Sequence, residues 1–418
     1  MVFRSLMMMM LLLLISSPYE SSAQFWKRIS ARKENNNESK TQEYNSNRIA
    51  KKQKPIDYPT SKVKFRYRID VLIPLYLDEL VEEGQPVFEH LPDKAIAGYQ
   101  FYEGILLAKD SLNKLGYNFD IYIHDITQDG EGIERLILTK TLVGSDLIIG
   151  FLASNQLGKI AAFSQKYKIN FVSALSPSVT DVQDNPFFTI IQPTLHRHCI
   201  RLRNKAMEMF PEKKVLLITN LENETDSIAL NYCSGTKQKK WPRINWVSLE
   251  DSSELLPFLD TSINPVLLPI VDPLLADSII QQIVEWFPQN RFHFFGMPSW
   301  KGASFLKEKK VNYIVTITAA FNFDNSITMP QVLVRNYKKT TDARPTELVY
   351  RGYETVYWYA YLLQKYGTIF NYHLNDLAGA AFTQFDIQTQ WTRDNDFLYL
   401  ENEHVFYLNY KNGLISVE

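Results

Sequence analysis

Apolar residues in the chain follow two rhythms, one of strands and one of helices, and the two alternate from Phe65 onward. FRYRIDVLIPLY (65–76) alternates and then becomes wholly apolar, which predicts a central strand. A loop containing Gly84, Pro86 and Pro92 follows, and then AIAGYQFYEGILLAKDSLNKLG (95–116) shows helical spacing and stops at Gly116. Strand 118–127 and helix 134–144 come next. Residues 146–180 then read as a buried strand (147–152), a turn of Ala153, Ser154 and Asn155, a helix to Lys168, and a second buried strand (169–174) ending in a Ser/Pro turn. FFTIIQPT (187–194) is a further strand.

The rhythm restarts at Leu195. It predicts helix 196–210, strand 213–220, helix 224–237, strands 243–250 and 265–271, helix 273–287, and strands 291–298 and 311–321. A long aromatic-rich helix (347–367) follows. FLYLENEHVFYLNYKNGLISV (397–417) predicts one β-hairpin, with Lys411, Asn412 and Gly413 as its turn signal. Alternating strands and helices imply parallel sheets covered by helices. Two such sets predict an α/β chain of two lobes facing across a cleft. In such sheets ligands sit outside the carboxyl ends of strands, and helix N-termini there favour anionic groups.

Composition adds an address. The chain has 418 residues, 45% hydrophobic and 22% charged, with net charge −1, so bulk charge points to no partner and nucleic acid is not expected. Residues 24–66 hold twelve Lys/Arg against four Asp/Glu, which leaves the remainder acidic. Arg4, the apolar run 6–15 and Ser21-Ser22-Ala23 have the layout of a cleavable signal peptide (1–23). The apolar run is shorter than the roughly 20 residues a bilayer span needs, and no cysteine near the cut supports a lipid anchor. The expected location is periplasmic or otherwise extracytoplasmic. Residues 24–64 lack a hydrophobic period and read as a disordered basic linker. The two cysteines, Cys199 and Cys233, could pair in an oxidising compartment, but two separate half-buried thiols is the preferred reading.

Catalytic signatures are lacking: the sequence has no G-x-S-x-G elbow, no H-E-x-x-H and no paired C-x-x-C. Gly130-Glu131-Gly132 lacks the third glycine of a dinucleotide loop and reads as a turn. His196-Arg197-His198-Cys199 has metal-ligating residue types, yet helical neighbours at i and i+2 point about 200° apart, so it reads as a polar helix start. The helical spacing of Tyr350, Tyr353, Tyr357, Trp358 and Tyr361 predicts core packing or a stripe against the sheet, with an aromatic wall facing the cleft as the secondary reading. Ser154 is the strongest binding candidate. At the expected N-cap it either satisfies backbone donors or joins them to hold a carboxylate, and position alone leaves both readings open.

The order of these segments resembles the type I periplasmic binding proteins, the family of the leucine/isoleucine/valine-binding protein and of receptor family ligand-binding regions. The shared marks run from Ile69 to the C-terminus: IDVLIPLY, the G-x-x-x-A-x-x-x-L character of the first helix, DLIIGFLASNQ, KINFVSALSPS, FFTIIQPT, KKVLLITN and RGYETVYWYAYLLQKYG. The resemblance implies two Rossmann-like lobes joined by a three-crossing hinge, 65–194 plus 322–382 and 195–321 plus 383–418. It implies no catalytic centre and no cofactor or metal. By the family's pattern the ligand carboxylate falls to Ser154, and the next turn supplies Leu175, Ser176 and Pro177. Pro177 stands where the amino-acid binders place Ser or Thr, which removes a hydroxyl and an N–H. No acid lies in FFGMPSW (294–300), so Asp272 is the nearest partner for an ammonium group. Tyr76, Asn155 and Trp300 complete the expected site.

The expected function is that of an exported, non-catalytic solute-binding protein. It would close on a small polar or anionic ligand, such as an amino acid or derivative, and hand it to a membrane transporter permease. The alternative keeps the fold but makes the chain an envelope-associated or sensory interaction module, with another envelope protein as partner and no transport role. An exported enzyme rests on nothing beyond the cleft.

Overall fold

The structure is a computed structural model that describes residues 56–127, 132–177, 182–234, 241–309, 312–323, 328–376, 378, 382–392 and 394–418. The expected signal peptide, linker residues 24–55, and Gly130 and Glu131 lie outside these. In chain order the main elements begin with β1 (Tyr67–Ile73), α1 (Asp93–Lys114), β2 (Phe119–Asp125), α2 (Gly132–Leu138), β3 (Leu147–Gly150), α3 (Ser154–Tyr167), β4 (Asn170–Ser173) and β5 (Phe188–Ile190). Next come α4 (Leu195–Met209), β6 (Leu216–Thr219), α5 (Glu224–Ser234), β7 (Arg243–Asn245), β8 (Ile263–Leu267), α6 (Pro273–Trp286), β9 (Arg291–Gly296) and β10 (Tyr313–Ala319). The chain ends with α7 (Thr328–Thr341), α8 (Glu347–Tyr366), β11 (Ile387–Trp391), β12 (Phe397–Asn402), β13 (Phe406–Lys411) and β14 (Leu414–Val417).

These elements form two units. The first holds the described residues up to Gln192 together with Asn322–His404, and the second holds Pro193–Phe321 with Val405–Glu418. Each has one seven-stranded sheet, in the order β11-β12-β5-β4-β3-β1-β2 in the first unit and β14-β13-β10-β9-β8-β6-β7 in the second. Within these two sheets every pairing is parallel except β11–β12, β10–β13 and β13–β14. The chain leaves β1 for β2 on one side and returns to β3 on the other, so the winding reverses between β1 and β3. The same reversal falls between β6 and β8 in the second unit.

Strand β1, next to the edge strand β2 in the sheet of the first unit, carries a fully buried acid. Asp70 accepts two hydrogen bonds from the Arg68 guanidinium, at 2.8 Å each, and one from Ser145 Oγ at 2.6 Å; His124 Nε2 lies 2.7 Å away. Burial alone would raise its pKa. The bonds from His124, Arg68 and Ser145 outweigh that and hold the carboxyl below its ordinary range. These partners come from β1, from β2 and from the turn before β3, so one carboxylate ties the three strands that flank the reversal.

A helix crossing positions the late elements. Gly104 of α1 and Gly352 of α8 meet where their backbones nearly touch: a Cβ on Gly352 would lie 2.1 Å from the Phe101 carbonyl oxygen, and one on Gly104 2.1 Å from that of Val349. Aromatic residues of the first unit fill the space around α8. Trp358 stacks on Phe385 at 4.3 Å and Tyr350 on Phe323 at 3.8 Å. The helical spacing of these aromatics therefore marks packing, as expected.

Several elements depart from the sequence expectations. Residues 56–64 are not a free linker. Tyr58 packs edge-on against Phe187 and Tyr372, Ser61 Oγ donates to the Tyr366 carbonyl at 2.6 Å, and Thr368 N–H donates to the Lys62 carbonyl at 3.1 Å. Too few apolar residues in this stretch made it look unable to fold alone; it is held by partners far along the chain. The predicted single hairpin at 397–417 is two hairpins. β12 pairs in parallel with β5, placing 387–402 in the first unit, and only β13 and β14 join the second sheet. Both stretches alternate alike, and sheet choice depends on a distant strand. The Asn412-Gly413 turn is as predicted, with both residues at positive φ. Helix α7 and strand β11 were not anticipated. The predicted helix 134–144 ends at Leu138, with a 3₁₀ turn from Thr141 to Gly144.

Replacing Gly352 with alanine forces two helix backbones apart. Urea denaturation is expected to show a loss of about 3 kcal/mol, typical of overpacking in a core. An unchanged midpoint would contradict the close crossing.

Candidate functional site

In each unit the residues at the winding reversal sit at the carboxyl ends of adjacent strands, where an open α/β sheet leaves a crevice. In the first unit three turns line that edge. After β1 the chain turns at Tyr76, which adopts a left-handed conformation with φ 56°, a strained choice for a residue with a Cβ. Its N–H donates to Thr127 Oγ1 at 2.8 Å, and the Asp125 carboxylate accepts the flanking N–H groups of Leu75 at 2.9 Å and Leu77 at 2.7 Å. Burial opposes ionisation of Asp125, but its bonds from Thr127, Leu77 and Leu75 bring its pKa below the ordinary range. The half-buried Tyr76 ring carries the Lys94 ammonium 4.6 Å from its centroid.

The turn after β3 differs from the expected cap. Ala153, not Ser154, is the N-cap of α3, and Ser154 is the first helical residue. Alanine has no side-chain acceptor, so the only reciprocal bond is from Ala153 N–H to Gln156 Oε1 at 3.1 Å. No side chain caps the first N–H groups of this helix. Ser154 is half-buried and Asn155 exposed, so the start of this helix is solvent-accessible. After β4, Leu175 and Ser176 are buried, and Ser176 Oγ has no hydrogen-bond partner among the described residues.

Sequence reasoning missed Arg351. It is buried on α8, and its guanidinium donates to the Ala174 carbonyl at 2.9 Å and to Gln192 Oε1 at 2.8 Å. It thereby ties the ends of β4 and β5 to α8. Burial pushes its pKa down, against the opposing charges of Glu347 and Glu354. Glu354, one turn on, accepts from Phe382 N–H at 2.9 Å and Thr383 Oγ1 at 2.8 Å. A charged pair inside an otherwise apolar helical stretch was the available signal.

In the second unit the edge is acidic. Asp272 is the N-cap of α6 and accepts the Leu274 N–H at 2.9 Å, so part of its capacity serves the helix. Asp226, a residue the sequence did not single out, is buried in the first turn of α5 and accepts the Val271 N–H at 2.8 Å. Its carboxyl is pushed up to about 6, first by burial and also by the Asp272 charge, with the Val271 bond opposing. Trp300 does not belong to this edge. It is fully buried against Gly296 and Phe305, and its indole N–H donates to the Ile270 carbonyl at 2.8 Å. A tryptophan beside Pro298 looked loop-like in sequence, but the missing side chain at Gly296 makes room for its ring inside the core.

The former metal candidate is structural. His198 is buried, bonds through Nδ1 to Thr318 Oγ1 at 2.9 Å, and is held neutral by burial, its pKa lowered to about 3. Among the described residues no group of His, Cys, Asp and Glu is arranged to hold a metal, and no helix is long and apolar enough to cross a membrane.

No protein-family profile and no curated protein sequence matches the chain. Solved structures do. A putative branched-chain amino acid ABC transporter protein from Rhodospirillum rubrum is similar with a TM-score of 0.59 at 13% identity, over 84% of this chain and 100% of that one. An ABC transporter substrate-binding protein from Desulfitobacterium hafniense gives 0.52 at 13% identity, over 84% and 100%. Full-length LpoA from Haemophilus influenzae gives 0.54 at 13% identity, over 87% of this chain and 60% of that one. At such identities the likeness establishes the fold alone. The chain has the type I periplasmic binding protein fold.

The raised Asp226 pKa has a measurable consequence. A carboxyl that holds its proton more tightly folded than unfolded costs stability as pH rises from about 4 to about 6, with the full cost above that. Asp226→Asn keeps an acceptor for Val271 and removes the charge. Its unfolding free energy relative to wild type is expected to improve by about 2 kcal/mol between pH 4 and pH 8. A pH-independent difference would rule out a buried, protonatable Asp226.

Proposed function

We propose that the chain is an exported, non-catalytic solute-binding protein that closes its two units on a small polar ligand, with an amino acid or derivative as the favoured class. The observation that carries this reading is the pair of unlike edges at the two winding reversals. One offers Ser154 and Asn155 at a helix N-terminus with no side-chain cap, which suits a carboxylate. The other offers Asp226 and Asp272, which suit an ammonium group. The structural neighbours among ABC transporter and substrate-binding proteins support the same class. In this reading Tyr76, Leu175 and Ser176 shape the first edge, and Trp300 supports the second from within the core. Ligand would favour the closed arrangement because only there do both units contact it. The reading places the protein outside the cytoplasm with a membrane transporter permease as partner.

A second reading, an envelope or sensory interaction module of the same fold without transport, is supported by the helix-capping task of Asp272 and the burial of Trp300. Both draw expected ligand contacts into the scaffold.

A thermal-shift screen separates the two. A true ligand at 100 times its dissociation constant is expected to stabilise the protein by about 2.7 kcal/mol. Ser154→Ala, which removes no cap, is expected to weaken that ligand by about fivefold, one hydrogen bond's worth, with the unliganded melting temperature unchanged. Silence across amino acids, short peptides, sugars and nucleobases would overturn the solute-binding reading.

A further inference from the structure

The chain has only two cysteines. Cys199 lies on α4 and Cys233 on α5, neighbouring helices of the second unit, and both are completely buried in the same apolar core. They are free thiols, as composition suggested, but fully rather than half buried, and the Cys199 and Cys233 side chains interact with each other. A buried residue touches roughly 6–12 others, so two thiols placed independently among the buried positions of this chain would rarely meet. The core they belong to is apolar, with Leu202, Ala206, Val215 and Leu230 among its members. The Arg203 charge pulls the Cys233 pKa down, but burial outweighs it and keeps the thiol protonated.

We propose that Cys199 and Cys233 form an intramolecular disulfide that clamps α4 to α5 when the chain folds in the presence of a disulfide donor. The two thiols lose two protons and two electrons to form one S–S bond. The donor, a low-molecular-weight disulfide such as oxidised glutathione, takes both up and leaves as two thiols. Burial raises the Cys233 thiol pKa and suppresses the thiolate that would attack a donor. The bond consequently closes while the helices dock, and the folded, reduced protein oxidises slowly. The proposal is independent of any ligand.

The test uses the full chain, reduced, unfolded in guanidinium chloride and refolded with a glutathione redox couple. The product is then denatured, alkylated with iodoacetamide and weighed intact. The expected product is a monomer with no added alkyl group before reduction and two after it. Its melting temperature should exceed that of the reduced form by about 5–10 °C, the shift a structural disulfide gives a unit of this size. Cys199→Ser and Cys233→Ser should each leave one thiol that alkylates without reductant. Two alkyl groups on unreduced wild type, glutathione adducts at the cysteines, or disulfide-linked dimers would overturn the proposal.

Discussion

A charge buried in the middle of a sheet is destabilising unless every lone pair finds a donor, and Asp70 meets that condition. Arg68 grips it from the same strand, His124 from β2 and Ser145 from the approach to β3. Because the partners lie on either side of β1, the carboxylate fixes how the three strands sit together. The carboxyl ends of β1 and β3, several residues on, inherit that register, with Ile73 opposite Asp125 and Leu72 opposite Gly150. Tyr76 and Ser154 are held at neighbouring positions as a result. Loss of one donor would expose an uncompensated buried charge and loosen the edge that carries the candidate site.

The same design recurs with other chemistry around α8. The contact of Gly104 with Gly352 brings α8 close enough for Arg351 to reach the ends of β4 and β5. Glu354 holds the chain at Phe382 and Thr383 from the same helix. Helix, strand ends and a late loop are thus joined by two buried charges and one glycine crossing. These contacts hold the ends of β4 and β5 and the loop at Phe382 and Thr383 to α8.

The second unit solves its edge differently. There the acids Asp226 and Asp272 divide the work: one bonds the Val271 backbone and the other caps α6. Their mutual repulsion and burial keep Asp226 close to its protonated form at mildly acid pH. Candidate contacts and scaffold therefore share residues here, whereas in the first unit the half-buried Ser154 and the fully buried supports are separate.

The hydrophobic pattern by itself determined the α/β class, the two successive sets of strands and helices, and the Asn412-Gly413 turn, because each is encoded within a dozen neighbouring residues. It also singled out the segment carrying Ser154, since a buried strand followed by a small-residue turn and a helix is a local signal. The tertiary structure decided what depends on distance. Ala153 took the cap because the helix began one residue earlier than the hydroxyl suggested. Trp300 went inward because Gly296, four residues earlier, leaves room for an indole. Residues 56–64 became ordered through Phe187, Tyr366 and Thr368, and the late strands were shared between two sheets by pairing with β5 and β10. The partners of Arg351 and Asp226 and the meeting of Cys199 with Cys233 were invisible for the same reason. A side chain's partner across a fold is set by packing and register, and neither is written in its immediate neighbours.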